Sequence, residues 1–136
     1  MLSRIKIKDY AIIDEVEVEF SDGFNVFTGE SGVGKSIIVD ALGFSLGDRA
    51  DTSVIRTGAQ KAIVEAVFNI SDENILSKIK SLGFDVEGNE LIIRREYDTN
   101  GKNKITVNGF SESVSRVSDL SEVLVDFHGQ HEHQSL

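Results

Sequence analysis

The residues "GESGVGKS" at positions 29–36 constrain the fold of this chain more than any other stretch. They match the phosphate-binding pattern G-x-x-x-x-G-K-[ST] at every fixed position, and they lie between the apolar segment "FNVFTG" and a helical pattern. Glycines let the backbone curl so that its N–H groups point inward, and a following helix places the positive end of its dipole beneath an anion. The stretch therefore predicts a nucleotide-phosphate site on an α/β fold, rather than a glycine-rich turn that only joins strand to helix.

The motif assigns a role to each of its positions. Lys35 is predicted to supply the point charge for the β- and γ-phosphates, and the hydroxyl of Ser36 a ligand for Mg²⁺. The other predicted nucleotide-binding positions are those of the curled loop itself: Gly29, Glu30, Ser31, Gly32, Val33 and Gly34. The motif alone leaves open whether the nucleotide is ATP or GTP, and whether the chemistry is hydrolysis or phosphoryl transfer.

Composition restricts the class of protein further. The chain has 136 residues, of which 40% are hydrophobic and 27% charged, as expected of one soluble globular domain. A net charge of −9 argues against a broad basic face for nucleic acid on this segment. The absence of cysteine excludes disulfides and thiolate metal sites, and no apolar run approaches the length of a membrane span. We therefore expect a cytoplasmic protein with no membrane partner.

Alternating apolar and charged residues predict several strands. "RIKIK" and "EVEVEF" indicate two half-buried strands, and if these pair, lysines of one face glutamates of the other. A third strand is predicted at 62–70, and "ELIIRREY" and "KITVN" around "DTNGKN" predict a hairpin. With "FNVFTG" as a central strand, these elements predict a mixed β-sheet packed with helices.

Helical spacing predicts three helices. The first begins at Gly34 and ends before Gly47, and the second follows a cap at Ser71 or Asp72 and ends at Gly83. The third begins near Val114 and runs into the apolar "VLVDF".

The sequence offers only a weak candidate for the second half of a catalytic site. A P-loop enzyme places an acidic residue at the end of a second apolar strand, and "EVLVDF" (122–127) provides Asp126. Phe127 stands where a catalytic glutamate follows in ABC-type ATPases, so we interpret Asp126 as a strand-end residue rather than a metal ligand. "DTNG" imitates the D-x-x-G of GTPases but lies in the predicted hairpin, and no N-K-x-D motif occurs, which argues against a GTPase. Phosphate binding is therefore predicted without a convincing water-activating group.

Three segments together resemble a known family. "MLSRIKIKDYAIIDEVEVEF", "GFNVFTGESGVGKSIIVDALGFSLGDRA" and "LVDFHGQHEHQSL" resemble, in order and over the whole chain, the amino-terminal ATPase segment of the RecN family. These are bacterial DNA repair proteins of the SMC-like branch of ABC-type ATPases. The ending "DFHGQHEHQ" is more specific than the P-loop, in which serine and valine replace the threonine and alanine common in the family.

The resemblance implies a split ATPase head. Residues 1–136 would be its amino-terminal half, from the P-loop to the Q-loop, while a long coiled coil and the carboxy-terminal half are absent from the sequence. That other half carries the Walker B acids and an "LSGGE"-like signature, and this sequence contains neither. We expect the full-length protein to hydrolyse ATP with Mg²⁺, and this segment alone to be inactive and to hold no catalytic residue. The implied partners are the carboxy-terminal half of the same head, a second head in a homodimer, and DNA through the full-length protein, at the nucleoid in the bacterial cytoplasm.

The resemblance also implies roles for residues outside the loop. Gln130 matches the Q-loop glutamine, whose amide oxygen completes the Mg²⁺ shell and senses the γ-phosphate, and Gln134 is the alternative. Arg56 in "SVIRTG" resembles the arginine that reaches toward the nucleotide phosphates in the heads of SMC relatives, and Arg49 is the alternative candidate for this role. For either arginine, a solvated surface role stays open.

Three histidines close the candidate list. His128, His131 and His133 would favour a metal site if an extended segment placed them on one face, but H-x-H without a third ligand is a weak signal. We predict instead that they line the nucleotide entrance or the junction to the other half.

Three functions follow from these observations. The first is an ATP-binding half-head of a RecN-type ATPase acting in DNA double-strand break repair and recombination. The second is a stand-alone P-loop ATPase or kinase that uses Asp126. The third is a nucleotide-dependent assembly module without catalysis.

Overall fold

The computed structural model describes residues 2–20 and 32–132, with side chains described at 2–20 and 36–124. Within these ranges the chain forms six strands, three α-helices and a 3₁₀ turn at Thr52–Val54. The elements are β1 Leu2–Tyr10, β2 Ile13–Glu19, α1 Gly32–Ser45, β3 Lys61–Asn69, α2 Glu73–Ser81, β4 Glu90–Asp98, β5 Asn103–Val107, β6 Phe110–Glu112 and α3 Val114–Glu132. Among the described residues, no helix combines the length and apolar character that a membrane crossing requires.

The six strands form one sheet in the order β2-β1-β3-β4-β5-β6, and each described neighbouring pair is antiparallel. The predicted pairing of the first two strands is confirmed, because Lys6 lies opposite Glu17 and Lys8 opposite Glu15. The strand predicted at 24–29, which would make the sheet mixed, lies outside the described residues. That part of the fold stays a prediction.

One face of the sheet carries all three helices, and the core lies between them. Because side chains alternate along a strand, every second residue of β1, β3 and β4 points to this inner face. The α1 cluster packs the first helix on β1 and β3; its buried members are Ile5, Ile7, Tyr10, Ala41, Phe44, Ala62 and Val64. The α2–α3 cluster packs the other two helices on β3, β4 and β5 and includes the fully buried Phe68, Ile79 and Leu120.

The second helix begins and ends where the sequence predicts. Asp72 caps it, since its Oδ1 accepts hydrogen bonds from the backbone N–H groups of Asn74 at 2.8 Å and Ile75 at 3.2 Å. Gly83, just past the end, has a φ of +95°, a conformation that costs glycine nothing and other residues a steric penalty.

The strand interpretation of "EVLVDF" is wrong. Residues 122–127 lie within α3, so the backbone at Asp126 is helical and this residue does not end a strand. The physical reason is that Val117, Leu120 and Leu124 recur at helical spacing and are all buried in the α2–α3 cluster. Tertiary packing thus continues the helix through a run that is also apolar enough for a strand.

The outer face of the sheet is charged and electrically balanced. Arg94 pairs with Glu65 at 3.5 Å and with Glu96 at 2.9 Å, and Lys61 pairs with Glu96 at 3.0 Å. A groove of ≈ 290 Å³ crosses this face and has three cationic and three anionic side chains among its lining, namely Lys6, Lys8, Arg94, Glu15, Glu17 and Glu65. Because the positive and negative charges balance, this face lacks the positive electrostatic potential with which proteins attract nucleic acid.

The ion pairs of Glu96 predict a pH-dependent contribution to stability. Partial burial raises the pKa of Glu96, but hydrogen bonds from Lys61 and Arg94 outweigh it, so the pKa lies below its ordinary value of 4.5. A lowered carboxyl pKa stabilises the fold above the unfolded pKa, and this contribution is lost as the pH falls through the folded pKa. We expect Glu96→Gln to lower the free energy of unfolding by about 0.5 kcal/mol at neutral pH and by almost nothing near about pH 3. Urea unfolding at the two pH values measures the difference.

Glu87→Gln is the control, because Glu87 lies at an exposed position in the loop before β4. Because this side chain is exposed, Glu87→Gln should change the free energy of unfolding by no more than about 0.5 kcal/mol at either pH value. If Glu96→Gln costs as much at the acidic pH as at neutral pH, the ion pairs are not the source of its effect.

Candidate nucleotide-binding site

The first helix begins inside the phosphate-loop motif. α1 runs from Gly32 to Ser45, so the predicted helix after the loop is confirmed. The first turn of any α-helix leaves backbone N–H groups without helical partners, and the helix dipole adds positive potential there. Ser36 lies at an exposed position of α1. This exposure is required if its hydroxyl group is to contact a ligand. The local backbone therefore has the chemistry that binds an anion.

The other predicted residues of the phosphate loop fall into two groups. Gly29, Glu30 and Ser31 lie outside the described residues. For Gly32, Val33, Gly34 and Lys35 the structure describes a helical backbone and not the side chains. Contacts of these residues to phosphate therefore stay predictions.

The Q-loop and histidine candidates lie at the end of α3. Gln130 has a helical backbone there, and its side chain is not among those described. His128 and His131 are also helical, because α3 continues to Glu132, so the extended segment that a metal site would have required does not form at these two residues. Their predicted place at the nucleotide entrance or the junction to the other half stays a prediction. His133 and Gln134 lie outside the described residues.

The carboxy-terminal end of α1 is held by a buried arginine that sequence reasoning missed. Arg95 lies on the inner face of β4 and is 3% exposed. Its Nη1 donates hydrogen bonds to the backbone oxygens of Phe44 at 2.9 Å and Asp48 at 2.6 Å. Its Nε donates to Oδ1 of Asn103 at 2.9 Å, and its guanidinium lies 4.6 Å from the centre of the Phe44 ring. Burial lowers the pKa of Arg95, whereas the Asp48 charge opposes that shift.

A signal for Arg95 was present in the sequence. Leu91 and Ile93 precede it at alternate positions of β4, and both are fully buried. Strand alternation places Arg95 on the same inner face. A cation at such a position requires polar partners, because burying a charge without them is costly.

Two further residues complete the packing around this end of α1. The Tyr10 ring lies 5.5 Å from that of Phe44, and burial, followed by the charges of Asp40 and Asp48, raises the pKa of Tyr10. A Cβ atom at Gly43 would lie 2.3 Å from Oδ2 of Asp48, so glycine permits the close approach of this carboxylate to the helix.

The arginine candidates for phosphate contact lie in the loop after α1. Arg56 forms a partly exposed ion pair with Oδ1 of Asp9 at 3.7 Å, and its backbone N–H donates a hydrogen bond to the backbone oxygen of Asp9 at 2.9 Å. Arg49 is exposed. The geometry around Arg56 fits the surface alternative, and a phosphate role for either arginine stays a prediction.

The GTPase-like "DTNG" is confirmed as a turn. Oδ1 of Asp98 accepts hydrogen bonds from the backbone N–H groups of Asn100 at 2.8 Å and Lys102 at 2.9 Å, so this carboxylate stabilises the hairpin between β4 and β5. In the part of the chain that the structure describes, no group of three or more histidine, cysteine or acidic residues is arranged to hold a metal ion.

Comparisons with known proteins identify relatives of the whole chain. The AAA domain family matches residues 4–135. The chain is 41% identical over 137 residues to the DNA repair protein RecN of Xylella fastidiosa and 38% identical over 137 residues to that of Bacillus subtilis. Both alignments cover 100% of this chain and 24% of the relative, so the chain spans about a quarter of their length.

A solved structure shares the fold. An SMC ATPase structure from work on ATP-driven dimerization and DNA-stimulated activation of these enzymes superposes with a TM-score of 0.72. The match covers 91% of this chain and 79% of that one at 24% sequence identity. The α/β architecture predicted from the sequence is thus that of an SMC-type ATPase head.

Proposed function

The chain belongs to the AAA domain family and is homologous to the amino-terminal quarter of RecN DNA repair proteins, and from this premise we propose that it is the ATP-binding half of an SMC-like ATPase head. The observation that carries the proposal is the position of α1, which begins at Gly32 within the 29–36 motif. The backbone N–H groups in the first turn of a helix have no helical partners, so a helix that starts at this point could donate hydrogen bonds to a phosphate bound at the motif.

The residues of this half fit ATP·Mg²⁺. The loop backbone and Lys35 would bind the β- and γ-phosphates, and Ser36 and Gln130 would supply oxygen ligands for the metal. The fit is supported by the exposure of Ser36 on the first helix. Mg²⁺, when bound, neutralises charge that develops on the phosphates.

In this proposal, the nucleotide site is completed by residues that lie outside positions 1–136. The sequence has no signature or Walker B motif, so we propose that residues 1–136 form one lobe, and that a carboxy-terminal segment of the same protein completes the head. A second head would then face the first across the nucleotide in a homodimer. The dimerization of SMC ATPases driven by ATP supports this arrangement.

The biological role proposed for the full-length protein is repair of DNA double-strand breaks and recombination, at the nucleoid of a bacterial cell. RecN relatives are DNA repair proteins, and activation of SMC ATPases is stimulated by DNA. The net charge of −9 and the balanced outer face indicate that DNA contacts lie mainly elsewhere in the protein.

The structure does not support the hypothesis of a stand-alone ATPase or kinase that uses Asp126. That hypothesis needs Asp126 at the end of a strand, and residues 122–127 are helical. No observation favours the non-catalytic assembly module over the half-head.

Complementation of the two lobes tests the proposal. We expect residues 1–136, co-expressed with the carboxy-terminal segment that carries the signature and Walker B motifs, to hydrolyse ATP at least about 100-fold faster than either segment alone, because both transition-state contacts and metal ligands are then present. Steady-state phosphate release with Mg²⁺ measures the rates, and the full-length protein is the positive control.

Each of the other outcomes identifies a different function. Turnover by residues 1–136 alone would restore the stand-alone enzyme. If the separate segments, their mixture and the full-length protein all bind nucleotide without hydrolysing it, the protein is a nucleotide-dependent assembly module without catalysis.

A further inference from the structure

Arg95 is an unusual residue for the inner face of a sheet. The alternate positions before it, Leu91 and Ile93, are apolar and fully buried, whereas Arg95 carries a charge at 3% exposure. A buried cation is tolerated only when its donors are satisfied, and removing its partners is strongly destabilising. Here the donors reach Phe44, Asp48 and Asn103, so one side chain connects α1, the loop after it, and β5.

The contacts of Arg95 are directional where the rest of the α1 packing is not. Among the α1 residues of the α1 cluster, Phe44 is the one large buried side chain and Ala41 the one small one. Apolar burial is non-directional and depends on the area removed from water, so by itself it specifies the axial position of a helix less sharply than hydrogen bonds to particular backbone atoms. A cation that donates to carbonyl oxygens at the carboxy-terminal end of a helix complements its dipole and fixes its axial position.

This end of α1 is mechanically connected to the phosphate loop. α1 has 14 residues and is therefore about 21 Å long, and Phe44 lies about 12 Å along the axis from Ser36. A helix of this length moves as a nearly rigid body, so displacement at Phe44 also displaces Ser36 and the first turn. Displacements of about 1 Å in a phosphate site are large enough to matter, since they can reduce rates by about 100-fold.

We propose that Arg95 is a positioning residue for the nucleotide site, which holds α1 against β4 and β5 so that its first turn meets the phosphates at a fixed height and angle. The inference rests on the proposed function, because it assigns Arg95 to the site that binds ATP. Arg95 touches neither the nucleotide nor the metal in this proposal, and it acts through the backbone of α1.

The fold contains a control with contacts of the same type at a partly exposed position, since the Arg116 side chain is 39% exposed. Arg116 on α3 lies 4.3 Å from the centre of the Phe84 ring, donates to the backbone oxygen of Leu82 at the end of α2, and pairs with Glu112 at 3.2 Å. The same chemistry therefore fixes the end of α2, a helix that carries no part of the phosphate loop.

The experiment compares Arg95→Met with Arg116→Met in the full-length protein. Affinity for the fluorescent analogue mant-ATP with Mg²⁺ is measured well below the melting temperatures, and thermal unfolding is measured in parallel. We expect both variants to lower the melting temperature. Arg95→Met should weaken mant-ATP binding about 5- to 30-fold, whereas Arg116→Met should change it by less than about twofold.

Conservative variants keep the test decisive if Arg95→Met does not fold. Arg95→Lys retains the charge but not the planar fork, so an intermediate affinity is expected. Asn103→Ala removes one acceptor at an exposed position of β5 and should weaken binding about 2- to 4-fold. Wild-type affinity in the folded Arg95 variants would overturn the positioning role and leave Arg95 a stabilising residue only. Failure of the wild-type protein to bind mant-ATP would instead overturn the proposed function.

Discussion

Lys35→Ala in the full-length protein is expected to lower ATP turnover by at least about 100-fold, the loss typical of removing one group that stabilises transition-state charge. Lys35 is the lysine of the G-x-x-x-x-G-K-S motif, and its backbone lies in the first turn of α1. Its ammonium group would balance the charge that develops on the β- and γ-phosphates, a task that the neutral backbone N–H groups of the loop perform only in part. Phosphate release at saturating ATP measures the change.

Two control variants distinguish a specific role of the Lys35 ammonium group from the general effect of removing a positive charge from the protein. Lys104→Ala removes an exposed lysine from β5 and should leave turnover within about twofold of the wild type. Lys35→Arg keeps a positive charge but replaces a compact ammonium with a planar fork, so most of the activity should still be lost. Near-normal hydrolysis by Lys35→Ala would mean that the 29–36 loop is not where the γ-phosphate is bound.

The parts of the fold that the sequence predicts well are those in which local signals agree. β1 and β2 follow from strict alternation, and Lys6 opposite Glu17 follows from that pattern. α2 follows from Asp72 at its start and Gly83 at its end, where side-chain hydrogen bonding and a positive φ both have local causes. Such elements need no knowledge of distant residues.

Other elements depend on contacts that a linear pattern does not contain. The run 122–127 satisfies strand and helix patterns equally, and only burial against α2 decides in favour of the helix. β6, of three residues, is too short for periodicity, although the Asn108-Gly109 turn before it has φ values of +49° and +88° and carries the usual two-residue hairpin signal.

The candidate site shows the same division. The loop motif predicts phosphate binding because its chemistry is contained in eight consecutive residues. Arg95 could be placed on the inner face of β4 by alternation, but its acceptors on Phe44 and Asp48 lie 51 and 47 positions earlier in the chain. Only the folded sheet brings these groups together. The hydrogen bonds from Arg95 to the end of α1 could therefore be found only in the structure.

Phe68→Ala is expected to be among the most destabilising single substitutions in this chain, at about 3–5 kcal/mol of unfolding free energy. Phe68 is 2% exposed on the inner face of β3, in the α2–α3 cluster formed with both helices. Truncation removes most of an aromatic side chain from a close-packed region, and the loss of transfer free energy is increased by the cavity left behind. Since small domains have about 5–15 kcal/mol of total stability, the variant should unfold at a much lower urea concentration.

Phe110→Ala supplies the matched control for this substitution. Phe110 begins β6 and is 59% exposed, so the same chemical change should alter stability by no more than about 0.5 kcal/mol. Urea unfolding followed by far-UV circular dichroism measures both variants under the same conditions. Equal losses for the two phenylalanines would contradict the position of the core between β3 and the two later helices. A large loss for Phe68 alone would establish that the packing of α2 and α3 on the sheet is stabilised mainly by the apolar area that this cluster buries.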